Sequence, residues 1–352
     1  MPVPLQNVYY LLCYAWNRLE VRDQISLGSI PGERVENLLG GVLDAGLADL
    51  IRRGLDRGYV DVEEEGRRLR GKLLLSQTVS RMLVQRGQVA CLTDEFSYDA
   101  PHNRVLKAAA RALISLPTLD GKLRSRLRGH VLRLESVADV ELSPSAFRHV
   151  QLHRNVSRYV FLVNIARLVA RSLFPDQTTG RLRFHPFTAN EQAMGTLFQL
   201  FVRHFLKREQ DQFRVSAPKV PWDLETSDTS DKSWLPEMRT DVLLENNSRR
   251  MLLETKYYAK PYQEQYGRKT VISGHLYQLL TYLTQMSVDG GPRPVGVLLY
   301  ADTGEGFDLT YRVSGHVMRV KSLNLNQSWP DIHRSLLTLA QDVAHQPELA
   351  PA

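Results

Sequence analysis

Two acids and a lysine are spaced so that they can converge on one point. Asp241 opens the short apolar run Val242-Leu243-Leu244-Glu245, and Glu254-Thr255-Lys256 closes a second, Met251-Leu252-Leu253. Between them lies Asn246-Asn247-Ser248-Arg249-Arg250, whose Asn and Ser residues favour turns, so the segment reads as a β-hairpin. With the turn centred between Asn247 and Ser248, Asp241 falls directly opposite Glu254. Directly opposed residues share a face, with Cβ atoms about 4.5–5.5 Å apart. Lys256, two residues beyond Glu254, points to that face too. A bulge or a longer loop would shift this register.

Adjacent carboxylates repel and need a cation, and hard oxygen ligands suit Mg2+, which takes phosphate oxygens as further ligands. Such a cation makes water a better nucleophile at phosphorus and stabilises charge building on the phosphate. The backbone carbonyl of Thr255 is an extra candidate ligand. Lys256 can orient the attacking water or deprotonate it: the carboxylates favour its charged form, the metal and burial its neutral one. A cross-strand salt bridge on a solvated hairpin would have the same residue pattern. The apolar lead-in to Glu254 favours the end of a buried strand instead.

The elements around the hairpin are legible. Helical periodicity predicts a helix from about Asn190 to Glu209 before it and another from about Ser273 to Gln285 after it, the second carrying Gln278 and Tyr282 one turn apart. Phe213 to Ala217 reads as a short strand, and Val295 to Tyr300 as a strand buried on both faces. Strands near Leu309 to Val313 and His316 to Leu323 lead to a last helix, about Asp331 to Val343. Asp289-Gly290-Gly291-Pro292 reads as a turn, and the tail from His345 as frayed. Earlier in the chain, helices are expected at Val8 to Leu19, Val35 to Leu55, Asn103 to Leu116, Lys122 to Leu134 and Val156 to Leu173. Tyr59 to Val79 reads as strands around a turn at Glu65 and Gly66, followed by a strand at Gln88 to Leu92. Pro175-Asp176-Gln177-Thr178-Thr179-Gly180 is the best boundary signal. The expected fold class is α+β in two domains, 1–180 and 181–352.

The 352 residues suffice for two cores at about 150 residues each. Hydrophobic residues make up 43% and charged residues 24%, as in a globular protein. No apolar run has the roughly 18–20 residues of a membrane helix. Met1 to Trp16 lacks the basic start of a signal peptide, so a cytoplasmic location with no membrane partner is expected. Cys13 and Cys91 are too few for a disulfide framework or a thiolate zinc site. No zinc spacing links the ten histidines; His275 reads as a surface or capping residue. Tyr9, Tyr10, Tyr14 and Trp16 read as core or interface rather than as base-stacking platforms.

Net charge is +7, and the first 180 residues carry +6 of it, with 25 basic against 19 acidic side chains. Arg104 to Arg133 holds eight basic residues and one acid, Asp120. Such a stretch suits a polyanion, a protein partner or a solvated helix face. Gly267-Arg268-Lys269-Thr270 mimics the end of a Walker A loop, but the earlier glycine is missing, so no nucleotide is expected on this chain.

Acids and lysine at a sheet flanked by helices resemble the PD-(D/E)xK nuclease fold. Further stretches extend the likeness nearly end to end: Pro4-Leu5-Gln6-Asn7-Val8-Tyr9-Tyr10-Leu11-Leu12-Cys13-Tyr14-Ala15-Trp16, Arg70-Gly71-Lys72-Leu73, Asp94-Glu95-Phe96-Ser97-Tyr98-Asp99 and Asn103-Arg104-Val105-Leu106-Lys107. To these add Leu235-Pro236-Glu237-Met238-Arg239-Thr240-Asp241, Glu254-Thr255-Lys256-Tyr257-Tyr258, Leu276-Tyr277-Gln278-Leu279 and Trp329-Pro330-Asp331-Ile332-His333. Together they resemble the McrC family, endonuclease subunits of McrBC-type modification-dependent restriction systems.

The resemblance implies an N-terminal mixed α/β partner-docking domain followed by a PD-(D/E)xK restriction-endonuclease-like domain with a mixed central sheet flanked by helices. It implies catalytic roles for Asp241, Glu254 and Lys256, with Mg2+ (or Mn2+) as cofactor and double-stranded DNA carrying a 5-methylcytosine-type modification as substrate. A hexameric McrB-like AAA+ GTPase would use GTP and be stimulated by this chain, and assembly would bring two sites together for a double-strand cut. Two features depart from the motif: its proline is Pro236, not the residue before Asp241, and the second acid is Glu. Many such nucleases carry a further acid on the helix before the hairpin, where this chain offers Glu191 and the uncharged Gln199. Gln199, Gln278 and Tyr282 are candidates for positioning substrate. Arg104, Lys107, Arg111, Lys122, Arg124, Arg126 and Arg128 are candidates for contact with DNA or partner, undivided between the two. The rival readings are a non-catalytic activator of an AAA+ NTPase and a stand-alone repair or junction nuclease.

Overall fold

The computed structural model describes residues 3–19, 32–152, 157–175, 182–224, 233–258, 262–265, 268–287, 291–302, 304 and 306–344. Most of the expected boundary at 176–180, residues 289–290 of the expected turn, Gly267 and the tail 345–352 lie outside them. The chain forms two compact units, one of residues 1–23 with 187–352 and the other of residues 24–186. This differs from the expected division at 180 in two respects, each with a local cause.

The first is helix α1 (Leu5–Ala15), which folds with the C-terminal half. Its sequence LQNVYYLLCYA is apolar on nearly every side, so it must be covered all round. The cover comes from α7 (Glu191–Glu209), started by the Asn190 side chain, which accepts from the Ala193 N–H. Tyr14 packs against Phe201 and Phe205 and donates to Glu209 at 2.8 Å. Asn7 is buried and donates to the carbonyls of Leu325 and Gln327 at 2.8 and 2.9 Å. Tyr9 and Tyr14 are thus core residues. The second cause is a strand pair, β4 (Leu173–Pro175) with β5 (Leu182–Phe184), which keeps both flanks of 176–181 in one unit.

Within residues 24–186, helices α2 (Val35–Arg53), α4 (Pro101–Ser115), α5 (Gly121–Arg133) and α6 (Ser157–Ser172) pack on one another. Strands β1 (Gly58–Gly66), β2 (Lys72–Leu73) and β3 (Val89–Ser97) form an antiparallel sheet in the order β1-β3-β2. The expected turn at Glu65 and Gly66 is strand instead, because both residues continue the ladder opposite Ala90 and Val89. Leu75–Ser80 is helix α3 rather than strand: Thr78 donates to the Leu74 carbonyl and accepts from the Ala90 N–H.

The other unit is built on a six-stranded mixed sheet. Its strands are β6 (Arg214–Ser216), β9 (Val242–Glu245), β10 (Arg250–Tyr257), β13 (Val295–Asp302), β14 (Asp308–Val313) and β15 (His316–Asn324). The order is β14-β15-β13-β10-β9-β6; β10, β13 and β15 are parallel neighbours, and the other pairs are antiparallel. Two small ladders, β7 (Lys219–Val220) with β8 (Met238–Arg239) and β11 (Gln263–Gln265) with β12 (Arg268–Thr270), complete the strands. The parallel step from β10 to β13 is made by helix α8 (Ser273–Met286). Leu279 and Leu283 of α8 pack on Leu252, Leu298 and Val320 from one face of the sheet. Gly296 allows this approach, since a Cβ there would lie 2.7 Å from the Leu283 side chain. Helix α7 covers β10 from the other face, and α9 (Trp329–Ala344) packs on α7 and β15. Among the described residues no helix is long and apolar enough to cross a membrane. Cys13 and Cys91 are both buried.

Asn7 tests what holds α1 to this unit. Replacing it by Ala removes the donor to the buried Leu325 carbonyl and to the more exposed Gln327 carbonyl, so Asn7→Ala should lower unfolding stability by about 1–3 kcal/mol. A lower urea midpoint checks this, with the exposed Gln6→Ala as a control that should barely shift it.

Candidate active site

The hairpin register is the one its turn sequence predicts. Glu245 pairs with Arg250, Leu244 with Met251, Leu243 with Leu252 and Val242 with Leu253. Asn246 closes the loop, its side chain accepting from the Ser248 and Arg249 N–H groups at 3.1 and 2.9 Å. One further step would pair Asp241 with Glu254, but the ladder stops at Val242 and the chain bends. Thr240 has turned away, its N–H and hydroxyl both donating to the Pro218 carbonyl.

This bend sets where the Asp241 carboxylate goes. Asp241 Oδ2 accepts from the Thr255 N–H at 2.8 Å and from the Thr255 hydroxyl at 2.7 Å. Oδ1 accepts from Gln199 of α7 at 2.6 Å. Arg203, one turn along α7, donates to the Asp241 carbonyl at 2.8 Å, and the Asp241 N–H donates to Glu254 Oε1 at 3.3 Å. The two acids therefore meet at the end of β9, with Asp241 reaching across the strand edge. The N–H and C=O of one strand residue face the same edge. The Thr255 N–H faces Asp241, and so does its carbonyl.

Glu254 and Lys256 share the face of Leu252 and point towards α8. Lys256 Nζ lies 3.8 Å from Glu254 Oε2 and donates to Gln278 Oε1 at 2.7 Å. Gln278 Nε2 donates to Glu254 Oε2 at 3.3 Å and to the Tyr282 hydroxyl at 3.2 Å. One amide thus links base and acid, and Tyr282, mostly buried in the α8 core, holds that amide.

Glu254 is only 1% exposed. Burial, reinforced by the charge of Asp241 and opposed by Lys256, pushes its carboxyl up to about 8. A buried carboxyl beside a second carboxylate is a site that gains from a cation. Among the described residues no group of three or more His, Cys, Asp or Glu side chains gathers at one point. A cation here would rely on two carboxylates, a backbone oxygen and exogenous oxygens. That donor set fits Mg2+, which keeps waters and takes substrate phosphates.

Of the other candidates, Gln199, Gln278 and Tyr282 all join this network. Sequence reasoning missed the Thr255 hydroxyl and Arg203, although Arg203 follows Gln199 at helical spacing. It also misjudged His275: no side chain caps α8, and the half-buried ring is bonded through Nδ1 to the Tyr300 hydroxyl at 2.7 Å. The basic candidates of α4 and α5 belong to the other unit, and most are engaged there. Arg104 makes two 2.7 Å bonds to Asp99, and Arg126 binds Asp44 at 2.7 Å. Lys107 is buried on the Val137 carbonyl at 2.6 Å and pairs with Asp139 at 3.1 Å, which also takes Arg111 at 2.7 Å. Arg124 donates to the carbonyls of Leu116, Pro117 and Leu119. Lys122 and Arg128 are exposed, with no partner among the described residues.

Comparison with known proteins agrees along most of the chain. A family model described as McrBC 5-methylcytosine restriction system component matches residues 7–301. The Type IV methyl-directed restriction enzyme EcoKMcrBC of Escherichia coli (strain K12) is 28% identical over 337 residues, 96% of this chain and 97% of that protein. A refined half-complex from the tetradecameric assembly of Thermococcus gammatolerans McrB AAA+ hexamers with bound McrC matches with a TM-score of 0.53 at 18% identity. That match covers 95% of this chain and 76% of the other, and the likeness is one of fold.

The raised Glu254 pKa makes stability depend on pH. Without divalent cations the folded protein keeps this proton up to about pH 8, while the unfolded chain releases it near the ordinary 4.5. The folded state binds the extra proton across that window, so this contribution falls as pH rises through it. Glu254→Gln removes the slope. Thermal unfolding in EDTA should show Glu254→Gln gaining on the wild type between pH 5 and about 8, and parallel curves would contradict the assignment.

Proposed function

The chain belongs to the family of McrBC 5-methylcytosine restriction system components, and on that premise we propose that it is the endonuclease subunit of such a system. In this reading the unit around the six-stranded sheet is a PD-(D/E)xK nuclease that hydrolyses phosphodiester bonds of modified double-stranded DNA with Mg2+. Its partner is a hexameric McrB-like AAA+ GTPase, whose GTP hydrolysis it stimulates. The relatives support the setting: the E. coli protein is a methyl-directed restriction enzyme, and the Thermococcus assembly contains McrB hexamers with bound McrC.

The observation that carries the nuclease reading is the meeting of Asp241, Glu254 and Lys256 at the end of a buried strand. A buried carboxyl next to a second carboxylate weakens a fold unless another role keeps it there. Asp241, Glu254 and the Thr255 carbonyl would hold Mg2+, which when bound supplies positive charge against the charge that builds on the phosphate. Gln199 and Thr255 orient the Asp241 carboxylate. Gln278 holds Lys256 Nζ beside Glu254, where its N–H groups can align an attacking water and a phosphate oxygen. The water loses a proton as its oxygen bonds to phosphorus, one P–O ester bond breaks, and the departing oxygen takes up a proton, so that the elements of one water are added across the broken bond.

The test is cleavage of 5-methylcytosine-containing plasmid with Mg2+, with and without the AAA+ partner and GTP. Asp241→Ala and Lys256→Ala should each cut at least about a hundredfold more slowly than the wild type while still stimulating the GTPase. Equal cutting by all three proteins would overturn the site assignment. Partner-independent cutting would point to a stand-alone nuclease. Absence of cutting by the wild type, with GTPase stimulation intact, would leave the chain an activator.

A further inference from the structure

His275 stands one turn before Gln278 on α8, the helix whose Gln278 joins Lys256 to Glu254. Its hydrogen-bond partner, Tyr300, lies on β13 directly beside Lys256 in the parallel register, so the two side chains rise from the same face of the sheet. Tyr300 is fully buried, with Phe307 packed edge-on against its ring. Burial, with the added influence of Tyr258, raises the Tyr300 hydroxyl's pKa. Among the described residues His275 Nδ1 is the one hydrogen-bond partner of this buried hydroxyl, so its proton is satisfied by donating there. Burial and the nearby Lys256 charge push the imidazole down to about 4, so the ring is neutral at physiological pH. In a neutral imidazole whose Nδ1 accepts, the proton sits on Nε2. Tyr258 lies against the ring at 5.2 Å between centroids, and among the described residues Nε2 has no hydrogen-bond partner.

The result is an uncharged N–H donor held in one tautomer beside an ammonium. Its ligand must present an acceptor, and the neighbouring Lys256 repels cations and favours an anion. On the nuclease reading above, one anionic acceptor is obliged to enter here. We propose that His275 is a substrate-binding residue of this site, its Nε2–H donating to a non-bridging oxygen of the DNA phosphate seated beside Lys256, with Tyr300 as the positioning residue that fixes its tautomer. A neutral donor contributes this bond without displacing a counterion, which separates its signature from that of a lysine or arginine.

Single-turnover cleavage by the assembled complex, with Mg2+, GTP and a methylated duplex, tests this in wild type, His275→Ala, His275→Gln, Tyr300→Phe and Lys256→Ala. GTPase stimulation and thermal unfolding are followed in each as checks on assembly and folding. His275→Ala should cut on the order of a hundredfold more slowly, the usual effect of losing one positioned donor. His275→Gln, which restores an N–H, should recover part of that loss, and Tyr300→Phe should lose less than His275→Ala. The slope of DNA affinity against salt should be unchanged in His275→Ala. Wild-type cutting by His275→Ala beside an inactive Lys256→Ala would overturn this proposal alone, as would a salt slope reduced by about one. Wild-type cutting by Lys256→Ala as well would mean that the nuclease reading itself had failed.

Discussion

Where β9 ends, a side chain takes over from the backbone. The Thr255 N–H faces the edge where the next β9 residue would lie, but Thr240 has turned to the Pro218 carbonyl. The Asp241 carboxylate fills the gap, accepting from both the N–H and the hydroxyl of Thr255. The substitution satisfies a strand donor that would otherwise be orphaned, at a cost that grows once burial isolates it. It also fixes one acid against the residue that follows the other. Without this early stop the ladder would have continued, and Asp241 would project beside Glu254 as an ordinary cross-strand neighbour.

Two helices then hold the charged groups from opposite faces of the sheet, and each does so with an amide. Gln199 of α7 reaches Asp241, while Gln278 of α8 reaches both Glu254 and Lys256. A neutral donor orients a carboxylate without adding charge to the pair, whereas an acid at position 199 would add a third negative group. Burial above all raises the Glu254 pKa, and the charge of Asp241 adds to it, so the present pair already resists full ionisation when no cation is bound. Lys256 offsets this only in part, because its shortest contact is with Gln278 rather than with the carboxylate.

The position of Gln199 depends in turn on α7, and α7 is braced by an aromatic cluster. Tyr14, Phe201 and Phe205 pack with Trp329, joining α1, α7 and α9 around one buried centre. Residues near the start of the chain are thus part of the scaffold of a site formed more than two hundred positions later. In the other unit, much of the basic charge is spent internally. Asp44, Asp99 and Asp139 engage Arg126, Arg104, Lys107 and Arg111, so a count of arginines overstates what that surface offers to a polyanion.

The sequence alone determined what depends on local pattern. Helical periodicity marked α2, α4 to α8 and α9 within a few residues, and the turn formers Asn246 to Ser248 set a hairpin register that the ladder reproduces. That register put Glu254 and Lys256 on one face, since strand alternation decides which side chains share a face, and it brought Asp241 to the end of the ladder next to them. Tertiary structure decided what depends on contacts between distant segments. The attachment of α1 to the C-terminal half rests on Asn7 reaching the carbonyls of Leu325 and Gln327. The bend at Asp241, the Thr255 hydroxyl and the bond between His275 and Tyr300 arise where one element ends against another. No local propensity encodes such meetings, because they exist only after the sheet has brought residues far apart in the chain within hydrogen-bonding distance.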